Sequence, residues 1–188
     1  MTPDQLLEIL KTAGKLKENT RHCWISEDRK ESVADHSWRT ALMAMLLSGE
    51  PEYARLDLNR VIRMCLIHDL GEAFTGDIPV FLKGQDDTGR EDELFRQWVM
   101  SFPEEIRGEW IDLLEEMQAM ETPEAKLYKA LDKLEALIAH NESDLSTWLP
   151  LEYDLQLTYG QENMSFSPYL QAFREAVNHW TKQKTNTC

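Results

Sequence analysis

The chain has 188 residues, 42% of them hydrophobic, a length and composition that suit one globular domain with a full-sized core. Acidic residues outnumber basic ones, 34 to 20, for a formal charge of -14, which argues against non-specific nucleic-acid binding and against docking on an anionic membrane. No run of about 18 apolar residues occurs and the N-terminus lacks a basic region followed by an apolar one, so neither a membrane span nor export is expected. Cys23, Cys65 and Cys188 are odd in number and widely spaced; they suggest neither a disulfide framework nor a thiolate metal cage, and a reducing, cytoplasmic setting is expected.

Thr2-Pro3-Asp4-Gln5 combines a Thr-x-x-Gln capping box with Pro at the first helical position, and Leu6, Leu7, Leu10 and Ala13 give the helix it opens one apolar face, expected to pack inward. Gly14 to Glu31 reads as polar and irregular; it holds Arg21-His22-Cys23-Trp24, a cationic and aromatic cluster that is either a surface loop with Trp24 tucked into the core or a ligand-binding loop. Ser32-Val33-Ala34-Asp35 is a second capping box, opening a helix to about Leu47 with Ala41, Leu42, Met45 and Leu46 inward. His36 falls in its first turn, where the helix end disfavours an imidazolium and predicts the neutral form that can ligate a metal.

Asp57 caps a helix expected over Leu58 to Leu70, and the densest chemistry follows at its end: His68-Asp69-Leu70-Gly71-Glu72, then Thr75-Gly76-Asp77-Ile78-Pro79. The imidazole of His68 and the carboxylate of Asp69 can reach one divalent ion, and Glu72 returns to the same side if the helix continues. Two adjacent ligands cannot fill a coordination sphere, so partners elsewhere are required. Val80 to Arg90 reads as a polar loop long enough to serve as a lid.

Glu91 to Met100 and Glu104 to Met120 read as amphipathic helices separated by Pro103. Thr122-Pro123-Glu124 opens another, to about Asn141, with Leu127, Leu131, Leu134 and Ile138 dry and Lys126, Lys129 and Lys133 wet. Asp132 shares a stripe with Ala125, Tyr128, Ala136 and Ala139; a buried Asp needs a partner, either a metal or a local Lys129 or Lys133. Ser143 to Pro168 is turn-rich, and a last amphipathic helix carries Leu170, Phe173, Val177 and Trp180. No strand pattern stands out, and the fold class expected is all-α, a single-domain helical bundle.

His36, then His68-Asp69, then Asp132, each on its own helix, match the H…HD…D signature, and the chain resembles the HD-domain metal-dependent phosphohydrolases. The surrounding text, Glu31-Ser32-Val33-Ala34-Asp35-His36-Ser37 and His68-Asp69-x-x-Glu72-x-x-Thr75-Gly76-Asp77-Ile78-Pro79, resembles their 5′-deoxynucleotidase branch over roughly residues 15 to 145, with 146 to 188 a C-terminal helical extension. The resemblance implies that His36, His68, Asp69 and Asp132 hold one divalent cation (Co, Mn, Fe, Zn or Mg), and that Glu72 and Asp77 are the catalytic carboxylates. It also implies that Arg21 grips phosphate, with His22 a second candidate, that Trp24 crowds the sugar 2′ position, and that the protein is a homodimer. Between Asp69 and Asp132 there is no histidine, whereas dinuclear relatives carry extra ones there, so a single metal is expected. The implied substrate is a small nucleotide, a deoxyribonucleoside 5′-monophosphate; the alternatives are another small phosphate ester, a nucleoside triphosphate, or an inactive metal- or nucleotide-binding module.

Overall fold

The computed structural model describes residues 1–186; Cys188 lies outside the described residues. The helices are α1 (Pro3–Ala13), α2 (Val33–Leu46), α3 (Leu58–Ile67), the single turn α4 (Glu72–Thr75), α5 (Gln85–Met100), α6 (Glu104–Ala119), α7 (Pro123–Glu142), α8 (Glu152–Thr158) and α9 (Pro168–Asn186). The capping residues read from the sequence act as expected: Thr2 and Ser32 form capping boxes with Gln5 and Asp35, and Asp57 and Thr122 accept the backbone N–H of Arg60 and Ala125.

Helix α7 is the axis of the bundle. Twelve of its residues are buried, among them Leu127, Leu131, Leu134 and Leu137, and α2 and α3 pack on it and on each other. Helices α5 and α6 pair beside them, and α9 closes the far side of α7. Among the described residues no helix is long and apolar enough to cross a membrane.

Four local expectations are corrected. The segment read as irregular contains an antiparallel hairpin, β1 (Thr20–Trp24) and β2 (Lys30–Ser32), pairing Thr20 with Ser32 and Trp24 with Lys30 across an irregular register. Its strands are too short and too polar to show a period-2 apolar pattern. The apolar residues of α1 do not turn inward: the helix buries none of its side chains, and Leu6, Leu7 and Leu10 are exposed. In α2 the buried stripe is Val33, His36, Ser37, Thr40, Ala41 and Ala44, while Leu42, Met45 and Leu46 lie exposed beside Trp38. A stripe built from small and polar residues wins the inward face because α3 and α7 approach it closely, and a hydrophobicity count cannot see that. Finally, α5 begins at Gln85, its first turn tied by Asp87 to the backbone N–H of Gly84, so the expected lid shrinks to the short connection before it.

Candidate metal centre and its cleft

Three helices bring four side chains to one point. His36 lies in the first turn of α2, His68 at the C-terminal cap of α3 with Asp69 next to it, and Asp132 midway along α7. His36 Nε2 is 3.2 Å from His68 Nε2, 3.2 Å from Asp132 Oδ1 and 3.7 Å from Asp69 Oδ2. His68 Nε2 is 3.1 Å from Asp69 Oδ2 and 3.7 Å from Asp132 Oδ1. Ligand atoms each about 2.1 Å from one cation stand about 3 Å apart when adjacent; His36, His68 and Asp69 are close enough together to hold an ion, and Asp132 stands beside the two imidazoles. Two imidazole nitrogens and two carboxylate oxygens suit Mn, Fe, Co or Zn, with Mg less well served by nitrogen.

The ring orientation is enforced from behind. His36 Nδ1 is hydrogen-bonded to Glu135 Oε2, and His68 Nδ1 donates to the Cys65 carbonyl at 2.9 Å. With Nδ1 carrying the proton in both rings, each Nε2 lone pair is turned toward the shared point. Glu135 is fully buried and also accepts from Arg39 Nε at 2.6 Å, and Arg39 reaches Glu142. Glu31, also buried, accepts from Arg21 Nε at 3.0 Å, and Arg21 stands 3.7 Å from Asp69. Arg39 and Glu135 were not singled out by the sequence, and Glu31 stood only as the first residue of the stretch before His36, with no role given to it; for Glu135, a Glu one turn beyond Asp132 on an otherwise apolar stretch of α7 was the available signal.

The electrostatics fit a cation. Burial and the Arg21 guanidinium pull the His36 imidazole down, but Glu135 and Asp132 outweigh them and leave it above its ordinary value, opposite in direction to the effect expected from the helix end. Burial likewise lowers His68 while Asp69 and Asp132 carry it up to about 10. Asp132, against its burial, is held well below the usual carboxylate range by Lys129, Lys133 and the two imidazoles.

Glu72 and Asp77 sit on the same side. Glu72 is 4% exposed, its backbone carbonyl is held by Asn19 Nδ2 at 2.5 Å, and its Oε2 is buried without a hydrogen-bond partner. Burial, with Asp69, Asp77 and Glu91 nearby, pushes it up to about 9. Burial also raises Asp77, reinforced by Asp69 and opposed by Arg21.

A cleft opens from this point, lined by Arg21, Asp69, Glu72, Asp77, Lys83, Lys129, Asp132 and Lys133 at one end. Lys129 Nζ lies 2.9 Å and Lys133 Nζ 3.3 Å from Asp132 Oδ2, so both lysines face the cleft and not, as expected, open solvent. Asp132 therefore takes both partners the sequence offered: one oxygen toward the imidazoles, the other toward the lysines. His22 faces Glu152, 3.1 Å away, and the edge of Phe81, away from the cationic end. Trp24 is half-buried, carries Lys30 over its ring, exchanges backbone contacts with Ser143, and is not among the cleft-lining residues.

Comparison with known proteins agrees with this arrangement. The HD domain family model matches residues 13–174. The chain is 35% identical to the human (Homo sapiens) protein "5'-deoxynucleotidase HDDC2" over 141 residues, 73% of this chain and 67% of that one. It is 27% identical to the fission yeast (Schizosaccharomyces pombe) "5'-deoxynucleotidase hdd1", covering 76% and 79%. A solved structure, the "predicted metal-dependent phosphohydrolase" of Magnetospirillum magnetotacticum, superposes with a TM-score of 0.79 at 28% identity, covering 97% of this chain and 93% of that one. The PH0347 protein of Pyrococcus horikoshii follows at 0.74 and 26%, over 93% and 99%. Signature, fold and relatives converge: the chain belongs to the HD domain family of metal-dependent phosphohydrolases.

Proposed function

We propose that this protein is a 5′-deoxynucleotidase, releasing phosphate from deoxyribonucleoside 5′-monophosphates at a single divalent cation held by His36, His68, Asp69 and Asp132. The observation that supports the reading is the closeness of His36, His68, Asp69 and Asp132 at the end of a cleft that also holds Arg21, Lys83, Lys129 and Lys133, in a chain similar to proteins named 5'-deoxynucleotidase. A bound divalent cation would polarise the phosphate and acidify a water. The remaining work falls to side chains. Arg21, Lys129 and Lys133 neutralise the phosphate oxygens, supplying locally the positive charge that the chain lacks as a whole. Glu72, protonated at neutral pH by its burial, is placed to give a proton to the leaving 5′ oxygen, and Asp77 to receive one from water.

Sugar selection by Trp24 would require its ring to enter the cleft from β1, where Lys30 now covers it. A homodimer is supported by the exposed apolar residues of α2, with Trp38 at 62%, Met45 at 63% and Leu46 at 70% exposure, and Met45→Glu is the change to compare with the parent by sedimentation. The function is tested by phosphate release from paired deoxyribo- and ribonucleoside 5′-monophosphates after metal removal and re-addition of Mn, Co, Zn or Mg. Metal-dependent release with a deoxyribose preference is expected; release without that preference removes the sugar selectivity, and no release with any metal removes the reading.

A further inference from the structure

The cleft has a second end that the phosphate chemistry leaves unused. It is walled by His22 of β1, His140 of α7 and Glu152 of α8, with the ring of Phe81 alongside. His22 Nε2 stands 3.1 Å from Glu152 Oε1, and His140 Nε2 stands 3.6 Å from Glu152 Oε2. Neither Nε2 makes a hydrogen bond, although both atoms are buried. His140 and Glu152 are 7% and 4% exposed. The Leu149 backbone N–H donates to Glu152 Oε2 at 2.6 Å, and the carboxylate keeps further acceptor capacity. His140 is backed by Trp148, whose ring centroid lies 4.3 Å away. Burial and the proximity of His22 hold the His140 imidazole below its ordinary value, against Glu152, which favours a neutral ring able to donate or accept.

Helix α7 fixes how far this end lies from the metal centre. Asp132, Ala136 and His140 follow one another at four-residue steps and all line the cleft. Eight residues at 1.5 Å each separate the ligand from the imidazole by about 12 Å along the axis, roughly the reach of a nucleoside 5′-monophosphate from its phosphate to the outer edge of its base. Ala136, the small residue between them, leaves room for the sugar.

We infer that Glu152, His22 and His140 form a nucleobase-reading end of the cleft, in which the Glu152 carboxylate accepts the paired ring and exocyclic N–H donors of guanine while an imidazole donates to its carbonyl oxygen. Guanine offers two neighbouring donors in the plane that a carboxylate needs; adenine, cytosine and thymine each offer a single donor group there and leave an oxygen unpaired. A site built to bond such donors discriminates strongly against bases lacking them. This inference rests on the nucleotidase reading above.

The test compares phosphate release from dGMP, dAMP, dCMP, dTMP and the baseless ester 2-deoxyribose 5-phosphate, using the full chain with its activating metal, and then Glu152→Gln and His22→Asn. The parent is expected to favour dGMP over the other three at least tenfold in kcat/KM. Glu152→Gln, which keeps an acceptor for Leu149 N–H, is expected to lower the ratio of dGMP to 2-deoxyribose 5-phosphate at least tenfold, mainly through KM. His22→Asn should move the same ratio in the same direction, and it decides the matter if Glu152→Gln melts below the assay temperature. Equal rates on the four nucleotides, a lead by another base, or ratios within twofold of the parent in both variants overturn the base-reading end while leaving the nucleotidase intact. No release from any of the five esters overturns the nucleotidase reading, and this inference with it.

Discussion

Glu135 receives His36 Nδ1 from behind while Asp132, one turn earlier on the same helix, approaches His36 Nε2 from the front. A ring gripped on both nitrogens by α7 cannot rotate without breaking one of the two contacts. Glu135→Gln is therefore expected to weaken divalent-cation affinity by about 10- to 100-fold, the usual cost of removing a carboxylate that orients a histidine ligand. Metal titration followed by calorimetry checks this, and an affinity within twofold of the parent would remove Glu135 from the centre.

Glu72 supplies a prediction with a definite sign. Its folded pKa, about 9, lies above its ordinary value of 4.5, so its contribution to stability is fully present below about pH 4.5 and is lost as pH rises through about 9. Glu72→Gln removes the charge that burial penalises. The metal-free variant should melt above the metal-free parent at pH 8, by about 3 °C or more, with the gap closing at pH 5. The same change should slow turnover by about a hundredfold or more, the range of a lost general acid. A variant as fast as the parent would exclude Glu72 from proton transfer.

Lys129 lies between two charges, the Asp132 carboxylate and the phosphate proposed to bind beside it. Lys129→Met should raise KM for a phosphate ester about tenfold through the lost charge-assisted contact. It should also tighten cation binding, because the ligand Asp132 loses a competing partner. Opposite movements of KM and metal affinity are the signature; parallel weakening would mean that the helix had been disturbed.

Gly160 sits at φ +66°, and a Cβ there would come within 2.7 Å of Lys133 Cβ. Gly160→Ala combines left-handed strain with a clash against a cleft-lining residue, and should destabilise the fold by about 1–3 kcal/mol. Chemical denaturation measures this directly.

Much of the arrangement was legible beforehand because it rests on local rules. Thr2, Ser32, Asp57 and Thr122 are caps, and a cap needs only its own turn. The four proposed metal ligands were found through a spaced signature, and the three-dimensional convergence of His36, His68, Asp69 and Asp132 is what that spacing encodes. What escaped was decided by neighbours distant in sequence. Lys129 and Lys133 looked like solvent-facing residues until Asp132 and the cleft were placed beside them. Leu42 and Met45 looked inward until the close approach of α3 and α7 reserved the inner stripe of α2 for Thr40, Ala41 and Ala44. The hairpin of β1 and β2 has no apolar alternation because it carries charged residues of its own, Arg21 of β1 donating to Glu31 of β2.

Helix α7 carries Lys129, Asp132, Lys133, Glu135, Ala136 and His140 on one unbroken rod. A rod of this kind does not stretch, but it does have a phase: each residue added or removed turns everything beyond it by about 100°. Deleting one residue between Asp132 and His140 would swing the imidazole out of the cleft while leaving the ligand in place, whereas the same deletion in the connection before α5 would shift no residue of this set. Tolerance to length change is thus expected to be lowest in the most regular part of the molecule, and a scan of single-residue deletions should find its deepest trough over residues 132 to 140.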